Sequence, residues 1–227
     1  MRRYFVPILA GGSFRDRLVA CLGALIGIGL TGFICAMLPG PATGFLLVVA
    51  PMGASAVLIF AVPTSPLAQP WPVIGGNAIS ALVGVSVAAL VPGPALAAGL
   101  AVAGAILAMS LTRSLHPPGG AAALTAVVGG PAVMQAGYGF VVAPVLVNAV
   151  VLAALGVVFH RFSGHSYPHR PVSAAGHAMP QRSPRHPADI DKALADLGET
   201  FDVSREDLDL LFDRVEHHAA QRRAGKA

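Results

Sequence analysis

The sequence predicts an all-α polytopic membrane protein of about six crossings with a short soluble helical tail, and three observations carry that class. Of 227 residues, 55% are hydrophobic and 11% charged, less than half the charged share of an ordinary soluble domain. The mean hydropathy is +0.69. Between residues 18 and 160 the only charged side chain is Arg113.

Residues 1–17 carry Arg2, Arg3, Arg15 and Arg17 against Asp16. A basic start with a short apolar run resembles a leader, but the stronger run begins after Arg17, so this segment reads as a cytoplasmic lead-in. A bilayer core of about 30 Å needs roughly 20 apolar residues per helix. Residues 18–38, 44–62, 73–91, 95–111 and 140–159 meet that need. A sixth run, 118–134, is short and interrupted by Gly129, Gly130 and Pro131. Basic residues beside short loops favour the cytoplasm. With the N-terminal arginines inside, the fourth span returns Arg113 to that side. If 118–134 then crosses, the last span delivers Arg161, Arg170, Arg182 and Arg185 inside as well. Six crossings satisfy every basic cluster, whereas five strand the tail outside. The expected location is a bacterial inner membrane, multi-pass, with both termini cytoplasmic.

Residues 161–187 read as a Pro-, His- and Arg-rich linker between the 18–160 membrane domain and a helical tail at 188–227. Its prolines oppose regular structure. Without a cysteine or carboxylate nearby, His160, His165, His169, His177 and His186 read as polar linker and not as metal ligands. In the tail, Asp189 caps a helix with Ile190, Ala193, Leu194 and Leu197 on one face, ended by Gly198. Ser204 and Asp207 open a second with Leu208, Leu211, Phe212 and Val215. Both helices are amphipathic and need a partner surface.

The formal charge of +4 sits mostly at the N-terminus, because residues 161–227 balance ten basic against ten acidic side chains. No basic stripe interleaved with aromatics exists, which excludes nucleic-acid binding. Cys21 and Cys35, fourteen positions apart, lie roughly 21 Å from each other along one helix and cannot pair. Gly23 and Gly27 have the small-xxx-small spacing of close helix contact. No P-loop, nucleophile elbow or zinc spacing occurs, and neither enzymatic activity nor a metal or cofactor is expected.

The segment Arg113-Ser114-Leu115-His116-Pro117-Pro118-Gly119-Gly120 carries the most chemistry. A guanidinium and an imidazole sit three residues apart at the end of an apolar helix. Two prolines then stop that helix and open the next, and two glycines let backbone approach a ligand. The positive end of the new helix faces the same place, which suits a small anion. An arginine flanking a membrane helix also serves as an interfacial anchor, and an imidazole there also serves as a cap.

A fainter repeat supports a site. Pro51-Met52-Gly53-Ala54-Ser55-Ala56 matches Pro118-Gly119-Gly120-Ala121-Ala122-Ala123 as Pro, any residue, Gly, Ala, small, Ala. Each lies in the middle of three segments, so the halves have opposite orientation, as in inverted-repeat transporters. Gln69, Ser80, Ser110, Thr125 and Asn148 are further polar groups in the apolar region. Ser55 in the first motif and Asn77 after Gly75-Gly76 are the leading ones. The candidate substrate site is Arg113, His116, Gly119, Gly120, Gly53, Ser55 and Asn77.

With His116-Pro117-Pro118 in place, the chain resembles the HPP family of integral membrane proteins. The likeness covers residues 1–160 in order: Gly53-Ala54-Ser55-Ala56-Val57-Leu58, Ser65-Pro66-Leu67-Ala68-Gln69-Pro70, Val73-Ile74-Gly75-Gly76, and Arg113 through Leu124. Residues 188–223 resemble the segment that, in bacterial members, leads to a pair of nucleotide-binding CBS domains. The expectation is a chain without that pair. The resemblance implies a transporter, and plastid and cyanobacterial-type relatives are associated with nitrite. It also implies four spanning helices, fewer than the count above. Where many relatives have His after the glycine pair, this chain has Asn77, so a role assigned to that histidine does not carry over.

The expected function is therefore a transporter or facilitator of a small anion, nitrite first. Arg113 attracts the anion, His116 bonds it or carries a proton, and the Gly53 and Gly119-Gly120 backbone completes the site. The alternative is a membrane scaffold that docks a soluble partner through its C-terminal helices. The partners expected are the lipid bilayer and a small anion, with a homo-oligomer left open.

Overall fold

The computed structural model describes residues 14–37, 48–170, 187–197 and 202–224. Among these the chain is helical: α1 (Phe14–Met37), α2 (Pro51–Ala61), α3 (Asn77–Leu90), α4 (Pro94–Leu111), α5 (Pro117–Val128), α6 (Pro131–Ala136), α7 (Val147–Ser163), α8 (Pro187–Leu197) and α9 (Arg205–Ala224). A π-helical turn, Pro72–Gly76, runs into α3, and a kinked stretch, Val141–Leu146, with Ala143 extended (φ −128°, ψ 119°), runs into α7.

Four helical stretches are long and apolar enough to cross a membrane: Phe14–Met37, Pro72–Leu90, Pro94–Leu111 and Val141–Ser163. Two apolar helices are shorter, Pro51–Ala61 and Pro117–Val128. The expected full-length span at 44–62 thus holds a helix of 11 residues among the described ones. Its apolar composition continues N-terminally, but Pro51 at the first helical position has no N–H to extend the ladder. The short run at 118–134 divides as expected, with α5 ending at Gly129 and α6 starting after Gly130, whose φ of +86° suits glycine.

The six apolar helices form two groups of three. In one, α1 meets α2 and α7: Phe60 packs against Gly23 and Gly27, Phe159 against Gly23, and Val48 against Gly32. The Gly23 and Gly27 spacing therefore serves close contact, as expected. Numbers rise in α1 as they fall in α2, so the pair is antiparallel. In the other group α3 meets α4 and α5. Gly76 lies against His116, Ser80 against Gly119 and Gly84 against Ala123, so α3 and α5 run parallel. Met109 packs on Gly76, and Val83 on Gly104, which makes α4 antiparallel to both. Met52, Ile59, Val73, Phe140, Val145 and Leu152 fill the larger core. Ala101, Ala105, Met109 and Ala123 fill a second one. Leu25, Leu90, Leu107 and Phe162 are exposed, an apolar exterior far larger than water-facing domains carry.

At the end where α7 stops, the chain folds back. α7 runs on to Ser163, and His160 is buried inside it, donating from one ring nitrogen to the Ile59 carbonyl (2.9 Å). This part of the expected linker is therefore packed structure. Tyr167 Oη donates to the Ala68 carbonyl (2.9 Å) and the His169 amide to Gln69 Oε1 (2.8 Å). Burial holds the Tyr167 phenol above its usual range, so it remains a donor. His177 and His186 lie outside the described residues.

α9 forms where the sequence places it, whereas α8 begins at Pro187, so Asp189 lies inside its first turn and is not its cap. Ser204 Oγ accepts from the Asp207 amide (3.1 Å), the N-cap bond. Gly198 lies outside the described residues. The start of α9 is bound to the bundle: Ser65 Oγ donates to Asp202 (2.7 Å), and His169 Nε2 lies 3.0 Å from Asp207 Oδ1.

Candidate functional site

Helix α4 ends in a Schellman turn, with Arg113 N donating to the Ser110 carbonyl (3.3 Å) and Ser114 N to that of Met109 (2.9 Å). Such a turn needs a left-handed residue, usually glycine. Here it is Arg113, at φ +52°, the one non-glycine residue with positive φ among the described residues. A side chain in that conformation costs about 1 kcal/mol or more, so a selective reason for arginine here has to offset that strain. The turn leaves Arg113 exposed, whereas His116 is fully buried.

His116 takes the extended conformation (φ −142°, ψ 107°) that a residue before proline needs. Its imidazole is fully buried between two elements far apart in sequence. Nδ1 lies 2.8 Å from the Leu67 carbonyl, and Nε2 lies 2.8 Å from Ser55 Oγ. A carbonyl only accepts, so Nδ1 carries the hydrogen. In the neutral ring Nε2 therefore accepts from the Ser55 hydroxyl. Ser55 Oγ in turn accepts from Asn77 Nδ2 at 3.3 Å, and Asn77 Nδ2 also donates to the Val73 carbonyl at 2.8 Å. The network has one direction: Asn77 to Ser55 to His116 to Leu67.

Two atoms beside this network are buried without a hydrogen-bond partner, Asn77 Oδ1 and Ser80 Oγ. Ser80 stands one turn beyond Asn77 on the same face of α3 and packs on Gly119. Protein interiors seldom leave such atoms unpaired.

The seven expected site residues thus divide. Ser55, Asn77 and His116 come together, and Gly119 packs behind them against Ser80, Met109 and Gly76. Gly120 faces Val102 on α4. Gly53 is exposed, with nothing within 4 Å of the place its Cβ would take. Fewer free N–H groups face a ligand than the helix starts suggest. Pro117 and Pro118 have none, and Gly119 N is bonded to the His116 carbonyl at 2.8 Å. Among the described residues no group of three His, Cys, Asp or Glu is placed to hold a metal ion.

Asn148 is the residue whose weight the sequence understated. Fully buried at the start of α7, it accepts the Val49 amide with Oδ1 (2.9 Å), just before α2, and donates from Nδ2 to Cys35 Sγ (3.0 Å). A second repeat signals it: Pro72-Val73-Ile74 leads to Asn77-Ala78-Ile79, and Pro144-Val145-Leu146 leads to Asn148-Ala149-Val150.

A family model described as the HPP transmembrane region matches residues 10–168. Two curated proteins of Dictyostelium discoideum, both named as transmembrane proteins, are similar. One is 44% identical over 120 residues, 51% of this chain and 42% of that protein. The other is 40% identical over 114 residues, 48% of this chain and 36% of that protein. The matched part is thus less than half the length of either relative. No solved structure matches the chain.

Proposed function

The chain belongs to the HPP transmembrane family, and from that premise we propose that it is a transporter or facilitator of a small anion, with nitrite the first substrate to test. The observation that carries this reading is the buried bond between Ser55 and His116, 2.8 Å long. It joins two short helices, each opened by proline, inside an apolar bundle. Ionisable groups inside such bundles are costly and mark solute or proton pathways. In this reading all six apolar helices cross, as two inverted halves of three with the short helices at their centres. Both termini face the cytoplasm of a cell membrane, the bacterial inner membrane being the one proposed, as the basic residues Arg15, Arg17, Arg161 and Arg170 favour.

The chemistry follows from the direction of the network. Protonating His116 at Nε2 turns that nitrogen into a donor to Ser55 Oγ. Ser55 then accepts from both His116 and Asn77, and its own hydrogen is released to donate to an anion. Proton and anion binding are thereby coupled at one hydroxyl. Arg113, exposed at the end of α4, attracts the anion at the mouth, Gly53 leaves backbone open along the path, and Gly119 closes the back of the site against Ser80.

The test is nitrite uptake into proteoliposomes of the full chain. Wild type takes up nitrite, whereas Ser55→Ala, His116→Ala and Arg113→Ala lose uptake. Equal uptake by wild type and the Ser55 and His116 variants refutes the site.

One observation favours a second reading, that of a scaffold. Leu211, Phe212 and Val215 on α9 are exposed, although the start of that helix is bound to the bundle. If deleting residues 188–227 removes the cellular phenotype while Ser55→Ala and His116→Ala leave it intact, the scaffold reading replaces transport.

A further inference from the structure

The two groups of three helices pair across the halves. Short helix α2 of the first half lies parallel to α7 of the second, with Val49 at Asn148 and Ile59 at His160. Short helix α5 of the second half lies parallel to α3 of the first, with Gly76 beside His116 and Gly84 beside Ala123. Each long partner begins at a proline, Pro72 or Pro144, and carries a buried asparagine five or four residues after it. The first of these starts is a π-helical turn, whereas the second is broken at Ala143, whose φ of −128° and ψ of 119° are extended. Matching Pro51 with Pro118 makes Val49 the counterpart of His116, and Asn148 is the counterpart of Asn77.

The counterparts are alike in sequence and unlike in bonding. Asn148 Oδ1 accepts the Val49 amide at 2.9 Å. Asn77 Oδ1 is buried beside His116 and accepts nothing. Resting on the transport reading, we propose that Asn77 and Asn148 are equivalent clamps and that the second state of the transporter exchanges them: Asn77 Oδ1 takes the His116 amide while Asn148 releases that of Val49. Alternating access in inverted-repeat transporters moves one repeat against the other around a fixed site, and the exchange of the two clamps is the local contact change that accompanies that movement. The unpaired oxygen on Asn77 is then the vacant half of the switch. Because the His116 amide belongs to the residue whose ring holds Ser55, closing the Asn77 clamp repositions the imidazole, and clamp state and site geometry change together.

The test is hydrogen exchange at single amides of the full chain in lipid nanodiscs, with nitrite uptake measured on the same preparations. Asn77→Ala removes the acceptor of the second state, so exchange at the Val49 amide, in the other half, slows about fivefold, the population change that one net hydrogen bond supports. Asn148→Ala populates the second state and slows exchange at the His116 amide, so either alanine variant decides the question if the other fails to fold. Unchanged or faster exchange at the distant amide overturns the proposal. If uptake is then intact, transport stands without the clamps. Slowing without nitrite uptake keeps the clamps and refutes the nitrite reading.

Discussion

Gly119 and Gly120 are adjacent, yet they are expected to respond oppositely to a single methyl group. A Cβ on Gly119 lies 2.7 Å from Ser80 Oγ, 2.8 Å from Met109 Sδ and 2.9 Å from the Gly76 carbonyl oxygen. The serine can rotate and the methionine can bend. The carbonyl belongs to the helical backbone and must withdraw by about 0.5 Å to reach ordinary contact, which moves α3 from α5. Overpacking of this kind costs about 1–3 kcal/mol, while alanine gains up to about 1 kcal/mol in helix propensity. The same Cβ on Gly120 meets only Val102 Cγ1 at 3.9 Å, so Gly120→Ala keeps the propensity gain without a clash. The two variants should differ by about 2 kcal/mol, or roughly 4–8 °C in melting temperature for a chain of this size. Thermal unfolding in one detergent, with Gly119→Ala the less stable, checks this. Equal melting temperatures, or Gly120→Ala as the less stable, refute the close approach of α5 to α3 and with it the placement of His116 beside Asn77.

Three further outcomes follow from named contacts. Arg113→Gly relieves the left-handed strain and should stabilise the protein by about 1 kcal/mol while nitrite uptake falls; thermal unfolding and uptake on one preparation separate the two effects, and a destabilised variant contradicts the Schellman assignment. Tyr167→Phe leaves the buried Ala68 carbonyl unpaired and should cost about 1–2 kcal/mol, read as a lower melting temperature; an unchanged one removes Tyr167 from the loop's support. Asp207→Ala removes both the N-cap contact with Ser204 and the His169 pairing, so trypsin should cut α9 at Arg214 faster than in wild type, and an unchanged rate shows that α9 is held elsewhere.

The long apolar helices were legible because the solvent they require leaves a compositional mark. Arg113 and the prolines after His116 delimit α4 and α5 within a residue or two, since proline acts on the backbone locally. Ser55, Asn77 and His116 could be singled out because polar groups in an apolar run need partners. What resisted reading is carried by the backbone. The Leu67 and Ala68 carbonyls that hold His116 and Tyr167 have no side-chain signature. Hydropathy cannot mark the start of α2 at Pro51 among the described residues of the 44–62 run, because Pro51 changes hydrogen bonding and not polarity. Arg113 reads as converging with His116 in sequence, whereas in the structure it is exposed in a Schellman turn and His116 is buried. His160 reads as linker by its neighbours in sequence, although helix periodicity aims it at Ile59.

The two groups of helices also differ in how far apart in sequence their members lie. Helices α3, α4 and α5 are consecutive, so their group closes through short connections. The other group cannot close that way, because Val49 finds its acceptor only in Asn148, a sequence separation of 99 residues. Long-range contacts are entropically slow to form. Helices α1 and α2 can pair locally, through Phe60 against Gly23 and Gly27, but the contacts of Val49 with Asn148 and of Ile59 with His160 form only once α7 is in place. The bond from Asn148 to Val49 thus belongs to the last-formed part of the bundle. The proposed counterpart at Asn77 lies in the other group, where Gly76, Gly84 and Gly119 bring backbone into direct contact, so closing that clamp calls for a movement of whole helices and not for local opening.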